Sequence, residues 1–413
     1  MTHSNNKDKT LTAQMEETTA LEQVDTERRL LRVGITHGDT NGVGYEIIFK
    51  LFADGALLDL CIPIIYGASK VAAFHRKALN LNTNYRTISN ATQAESGQLH
   101  LINCIDQEIK VEMGHGDAES GRAAFVALER ATKDLKEGKI DVLVTAPICK
   151  SAIQSAEFTF AGHTEYLANR LGDDTTAPLM ILANEVMRVA LVTTHLPVAH
   201  VAENITKELI EEKIKTFYHS LRRDFLLSAP RIAVLGLNPH NGDDGVLGEE
   251  EQNIIAPAIQ AASEEGIPVF GPYAADGFFG AAMYTHFDGV LAMYHDQGLV
   301  PLKTLSMDDG INFTAGLPFV RTSPDHGTAF DIAGKGIASE NALRQAIYAA
   351  IDIYHHRVAD DLAHANPLPK LYHERREDGE RKRFVPNNEQ NEPRETTNEN
   401  TEATATEKKP AQP

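Results

Sequence analysis

Residues 288–328 read DGVLAMYHDQGLVPLKTLSMDDGINFTAGLPFVRTSPDHGT. The run from Gly289 to Tyr294 is apolar, bounded by turn-forming residues and too short for an ordinary helix, so it predicts a buried strand. That strand delivers His295, Asp296, Gln297 and Gly298 at its end. Beyond it, Lys303, Asn312 and Arg321 interrupt apolar stretches, while Gly and Pro divide the remainder into short loops. An imidazole, an ammonium, an amide and a guanidinium in so apolar a stretch fit either the wall of a site for an anionic small molecule or a buried, mutually paired polar set.

Outward from this segment, short apolar runs alternate with helical patterns. Strands are predicted at 32–36, 62–66, 100–102, 142–145, 189–193, 231–235, 268–270 and 290–293. Helices are predicted at 45–52, 121–137, 164–171, 207–227, 249–265 and 341–357. That rhythm predicts an α/β fold on a mainly parallel sheet. The folded body is expected over about residues 31–365, preceded by a polar extension (1–30, with a weakly apolar helix near 11–29) and followed by a polar tail (366–413). From Pro386 onward the tail contains no Ile, Leu, Val, Met, Phe or Tyr, a composition that predicts disorder.

The 413 residues are 42% hydrophobic, enough for a large core or two lobes. Net charge is −19, from 39 basic and 58 acidic residues, and no basic stripe occurs, which argues against a nucleic-acid partner. No run of about 18 apolar residues suggests a membrane span. The N-terminus lacks the apolar core of a signal peptide. Cys61, Cys104 and Cys149, odd in number and widely spaced, read as reduced thiols of a cytoplasmic protein.

Three histidines share one address. His195 follows VALVTT, His240 follows IAVLGLNP and His295 follows VLAMY. In open α/β sheets the ligand crevice lies beyond the carboxyl ends of the strands. Three neutral imidazoles delivered there suit a divalent metal with an open position for substrate, although each taken singly also fits a hydrogen-bonded structural role. His200, Asp243, Asp244, Asp276 and Asp296 are candidate partners for those rings. Two loops add possible anion sites. Residues 161–165, AGHTE, open a helix with Thr164 near its N-cap. Residues 36–44, THGDTNGVG, are either a glycine-rich anion loop or a tight strand-to-helix turn, with spacing that matches no nucleotide motif.

In chain order, GDTNGVG, VTAPICK, AGHTEYL, RVALVTTHLP, LNPHNGDDG, MYHDQGLVPLK and GINFTAGLPFVRTSPDHGTAFDIAGKG resemble the 4-hydroxythreonine-4-phosphate dehydrogenase family of vitamin B6 synthesis, over about residues 31–355. The resemblance implies metal ligation by His195, His240 and His295, and substrate contacts from His163, Thr164, Lys303, Asn312 and Arg321. It further implies an isocitrate/isopropylmalate dehydrogenase-like α/β/α fold of two lobes with the active-site cleft between them. The cofactor would be NAD or NADP, contacted by His326, Gly327, Thr328 and Asp331. One divalent metal (Zn, Co or Mg) per site is implied, as is a homodimer with each site completed at the subunit interface, so that His195 and the pair His240/His295 come from different chains. The implied reaction oxidises 4-phosphohydroxy-L-threonine to a 3-oxo acid that loses carbon dioxide, with Asp276 and Asp296 as candidate general bases and a metal-bound water as their rival. The chain departs from the commoner family pattern at His37, Thr40 and Tyr45. Three other functions fit the same residues: a paralogous dehydrogenase of phosphorylated threonate or erythronate, a zinc-dependent lyase or aldolase on a phosphorylated sugar acid, and a non-catalytic binding protein.

Overall fold

A computed structural model describes residues 29–172, 177–306 and 308–366. The chain divides after Asn366, and everything described belongs to the unit before that point. The predicted helix near 11–29 lies almost wholly outside the described residues, as does the tail from 367 onward.

Twelve strands make one sheet: β1 (Leu31–Thr36), β2 (Cys61–Gly67), β3 (Arg86–Ile88), β4 (His100–Asn103), β5 (Val142–Thr145), β6 (Leu179–Ala183), β7 (Arg188–Leu191), β8 (Ile232–Leu235), β9 (Val269–Tyr273), β10 (Gly289–Ala292), β11 (Ile311–Ala315) and β12 (Val320–Pro324). Their order is β3-β4-β2-β1-β5-β12-β11-β6-β7-β10-β8-β9. Every pairing is parallel except three at the centre, β12–β11, β11–β6 and β6–β7. The mainly parallel α/β prediction therefore holds at both ends, and an antiparallel insert joins the two halves.

Helices cover both faces. The longer ones are α1 (Gly44–Leu51), α2 (Ser69–Ala78), α3 (Ala118–Lys136), α4 (His163–Leu171), α5 (Lys207–Arg223), α6 (Ala256–Glu264), α7 (Ala275–Gly280), α8 (His295–Leu305) and α9 (Asn341–His364). Alternation along β2 sends Cys61 and Ile65 to one core, with α1, α5, α6 and α9, and Ile64 and Tyr66 to the other, with α3 and α4. On α9, Leu343, Ala346, Ile347, Ala350 and Ile353 recur at helical spacing and face the sheet. Leu343 and Ile347 are completely buried, each contributing about 2–3 kcal/mol of hydrophobic stabilisation.

The segment 288–328 differs from its sequence reading. The stretch read as short loops is an eleven-residue helix and two strands of the sheet centre. Pro301 and Gly298 sit inside α8, and both argue against a helix by propensity. Gly298 is there because a Cβ would press into Val189, Leu191 and Ala292 of the underlying strands. Polar Asn312 and Arg321 disguised β11 and β12, and β3 and β6 also went unpredicted. The predicted helix 249–265 opens instead with a π-helical turn, Glu251–Ile255, before α6. There the Glu251 carboxylate accepts the N–H groups of Leu237 and Asn238 at 2.7 Å each, which fixes the loop carrying His240.

The glycine loop is a buried clasp, which decides between its two readings. Its N–H groups are consumed inside the protein: Asp39 donates to the Pro147 carbonyl, Val43 to Thr328 and Asn41 to the Asp39 carboxylate. Gly38 is left-handed (φ 73), and a Cβ there would collide with the Pro147 carbonyl. The family departures pack on one another. The His37 and Tyr45 rings stack with centroids 5.1 Å apart, and Tyr45 stacks in turn on His75 at 5.3 Å. The Thr40 carbonyl lies 2.7 Å from His75 Nε2.

Candidate active site

At the centre of the sheet, where the parallel halves meet the antiparallel insert, a cavity of about 260 Å³ opens. Thr145 enters from the end of β5, Asn312 from β11 and Arg321 from β12. His163, Thr164 and Glu165 enter from the first turn of α4, and His295 and Lys303 from α8. All five predicted substrate-contact residues line this one cavity, as do His195, His326 and Gly327.

Arg321 dominates the electrostatics. Its side chain is buried, yet among the described residues its hydrogen-bond partners are hydroxyls: Nε and NH2 donate to Thr145 Oγ1 at 3.1 and 2.6 Å, and NH1 to Thr314 Oγ1 at 3.2 Å. Burial without a hydrogen-bonded carboxylate pushes the guanidinium down to about 9, which leaves it charged at neutral pH. His163 is desolvated beside it. Burial first, then Arg321 and Lys150, push its pKa well below the ordinary value, so the ring is neutral. Lys303 donates to the Asp325 carbonyl at 3.0 Å and lies 3.3 Å from the Asp325 carboxylate. The first turn of α4 adds N–H groups that no intrahelical carbonyl can satisfy; its N-cap is Gly162, so Thr164 stands inside the first turn.

Four buried polar atoms on the cavity wall have no protein partner: His163 Nε2, Glu165 Oε2, Asn312 Oδ1 and His326 Nε2. Each costs about 1–3 kcal/mol unless a ligand or water answers it.

Among the described residues no three His, Cys, Asp or Glu side chains converge as metal ligands. His195 and His295 do meet within one chain, ring centroids 6.4 Å apart. His240 does not join them. It is exposed, outside the cavity wall, on a run of left-handed residues from His240 to Asp244. Of the three, His195 and His295 are the two brought together within one chain. Two imidazole nitrogens are a donor set that suits a divalent ion, and a third has to come from elsewhere. Of the proposed partners, Asp296 lies 2.7 Å from His295 Nδ1, and His200 pairs with Glu203. Asp276 is exposed on α7 and takes its own neighbour's Gly277 N–H at 2.7 Å. Neither Asp276 nor Asp296 lines the cavity. Thr328 turns its carbonyl to the Val43 N–H, 3.1 Å, and Asp331 is exposed.

Sequence reasoning missed Thr145, Lys150, Glu165 and Asp325. Lys150 Nζ lies 2.9 Å from His195 Nε2, and Glu165 Oε1 lies 3.6 Å from His195 Nδ1, so that ring is flanked by a cation and an anion. His195 holds the Glu165 carboxyl below its ordinary range. Thr145 and Lys150 follow a strand end, the same signal that singled out the three histidines.

The family model of the pyridoxal phosphate biosynthetic protein PdxA matches residues 59–350. The chain is 58% identical over 355 residues to the 4-hydroxythreonine-4-phosphate dehydrogenase of Bacteroides thetaiotaomicron, covering 86% of this chain and 97% of that one. It is 40% identical over 326 residues to an Oceanobacillus iheyensis protein carrying the provisional name D-threonate 4-phosphate dehydrogenase (78% and 97% covered). The crystal structure of 4-hydroxythreonine-4-phosphate dehydrogenase from Klebsiella pneumoniae superposes with a TM-score of 0.67 at 35% identity, over 79% of this chain and 98% of that one.

Proposed function

The chain belongs to the PdxA family of pyridoxal phosphate biosynthetic proteins, and on that footing we propose that it is an NAD- or NADP-linked dehydrogenase of 4-phosphohydroxy-L-threonine. The product is 2-amino-3-oxo-4-phosphooxybutanoate, which loses carbon dioxide to give 3-amino-2-oxopropyl phosphate. The observation that carries the substrate class is the buried Arg321 guanidinium, held by hydroxyls alone and facing the cavity. A buried cation with no hydrogen-bonded carboxylate among the described residues calls for an anion from outside, and a guanidinium suits phosphate or carboxylate through two parallel hydrogen bonds.

A nicotinamide ring bound here would supply the acceptor for a hydride from C3, and water in the cavity would take the hydroxyl proton. Arg321, Lys303, Asn312 and the first turn of α4 with Thr164 hold the anionic ends, which fixes the C3–H bond toward the cofactor. Neutral His163 supplies a further hydrogen-bonding nitrogen. The cofactor would lie along 326–331, where His326 and Gly327 already face the cavity. His195 and His295 would hold a divalent ion (Zn, Co or Mg), with His240 of a second copy completing the set. Such an ion supplies Lewis acidity toward the substrate hydroxyl. Asp296 keeps His295 in orientation through Nδ1. In a single chain neither Asp296 nor Asp276 reaches the cavity as a base. The working form is a homodimer, and three free thiols suit a cytoplasmic enzyme.

The test follows nicotinamide reduction by metal-replete protein offered 4-phosphohydroxythreonine and 4-phosphoerythronate separately. Turnover of the amino substrate, lost on chelation, is the expected result. Preference for the hydroxy acid would move the enzyme to the sugar-acid branch of the family, and silence on both would favour a lyase.

A further inference from the structure

The loop that follows β8 wraps around one carboxylate. Glu251 opens the π-helical turn and is 3% exposed, and its hydrogen-bond partners among the described residues are all N–H groups. Oε1 accepts from the Leu237 and Asn238 backbones at 2.7 Å each, and Oε2 from Asn238 Nδ2 at 3.0 Å. Two glycines back onto the same group. A Cβ at Gly242 would stand 2.9 Å from Oε2, and one at Gly236 3.1 Å from Oε1. His240 sits between the residues that donate to the carboxylate and the glycine that abuts it, with its side chain exposed. Here the backbone is strained. His240 (φ 54), Asn241 (φ 56), Asp243 (φ 46) and Asp244 (φ 52) are all left-handed, a conformation that L side chains adopt at a cost and that persists only where the surroundings impose it.

We propose that Glu251 is a positioning residue for the metal: its carboxylate presets the left-handed turn that aims the His240 imidazole away from its own chain, toward the site of a second copy. The inference rests on the proposed ligation by His240. A loop ordered when the chain folds leaves less ordering cost to be met when the ion binds. The residue type follows from the geometry. One carboxylate serves three donors, whereas glutamine in its place would turn its own NH2 against one of them.

The experiment measures zinc affinity of the full-length protein by competition with a chelating indicator, at concentrations where sedimentation shows a dimer. Parent, Glu251→Gln, Asn238→Ala and His240→Ala are compared, together with the absorption spectrum of the cobalt-loaded protein and the metal-free Tm. Glu251→Gln should bind zinc about 10- to 100-fold more weakly, with an altered cobalt spectrum and the dimer retained. Parental zinc affinity and cobalt spectrum, whatever the Tm, overturn the proposal and make Glu251 a fold residue. Zinc loss that comes with loss of the dimer overturns it as well, because the loop would then serve the interface. If Glu251→Gln fails to fold, Asn238→Ala decides, since it removes the donor to Oε2: weaker zinc binding supports the role and parental binding overturns it. A parent that binds no zinc, or a His240→Ala variant that binds it as the parent does, removes the ligand reading and this inference with it. Parental affinity in Glu251→Gln beside a weakened His240→Ala removes this inference alone.

Discussion

Arg321 is the residue on which the proposed substrate class rests. It is a cation in the middle of a sheet, held by Thr145 and Thr314 and by no carboxylate. Arg321→Ala is expected to raise the KM for the phosphorylated substrate about 10- to 100-fold, from lost charged hydrogen bonds of about 1.5–3 kcal/mol, while the KM for the nicotinamide stays near that of the parent. Equal loss of both would make Arg321 a fold residue. His37 makes a second prediction. Burial, and after it the neighbouring His75, push its pKa down to about 4, with the ring sealed against Tyr45. The unfolded chain binds a proton near pH 6.5 that the folded chain refuses. Stability from this group is therefore complete above pH 6.5 and declines as pH falls toward 4, by up to about 3 kcal/mol. In chemical denaturation at pH 7 and 4.5, His37→Phe should lose less stability on acidification than the parent; parallel curves would show that this imidazole is not the buried neutral group described.

Elements were legible where local pattern and tertiary demand agreed. The strands at 32–36 and 142–145 and the helices 207–227 and 341–357 were all found, with errors mainly at their ends. The helix predicted to 227 stops at Arg223 because the chain turns left-handed at Leu226 (φ 51), where the Leu227 N–H reaches back 3.0 Å to the Leu221 carbonyl. A half-exposed leucine there carries Cβ strain of about 1 kcal/mol that glycine lacks. Leu226→Gly, even after the greater unfolded-state entropy of glycine, should stabilise by about 0.5 kcal/mol and raise Tm; a lowered Tm would mean that the leucine packs better than its exposure suggests. The segment 288–328 failed for the opposite reason. Gly298, Pro301, Asn312 and Arg321 contradict helix and strand propensity. Gly298 sits where the sheet approaches closely and Asn312 and Arg321 line the cavity, causes that local preference does not record; nothing in the structure explains Pro301.

Over the whole molecule, each of the three histidines is bordered by exposed apolar side chains: Leu196 and Val198 beside His195, Val246 and Leu247 after His240, Val300 and Leu305 on α8 behind His295. Val198 and Val246 are each 78% exposed. Exposed apolar groups next to these histidines in sequence fit the homodimer proposed above. Val246→Glu should therefore weaken self-association in sedimentation, and should cost activity that returns as protein concentration rises. Activity independent of concentration in a monomeric variant would show that one chain suffices.

By itself the sequence determined the α/β class, the family and part of the cavity lining (His163, Thr164, His195, His295, Lys303, Asn312, Arg321), because strand-end position and residue chemistry are local properties that survive without coordinates. Tertiary structure alone decided which of those residues meet. It placed His195 against His295 and left His240 outside, turned the glycine loop into a buried clasp, and set Lys150 and Glu165 on either side of His195. It also joined β6, β7, β11 and β12 into the central antiparallel part of the sheet. The physical reason is that an unanswered charge or an unpartnered oxygen is defined by what surrounds it, and those surroundings are set by chain segments distant in sequence.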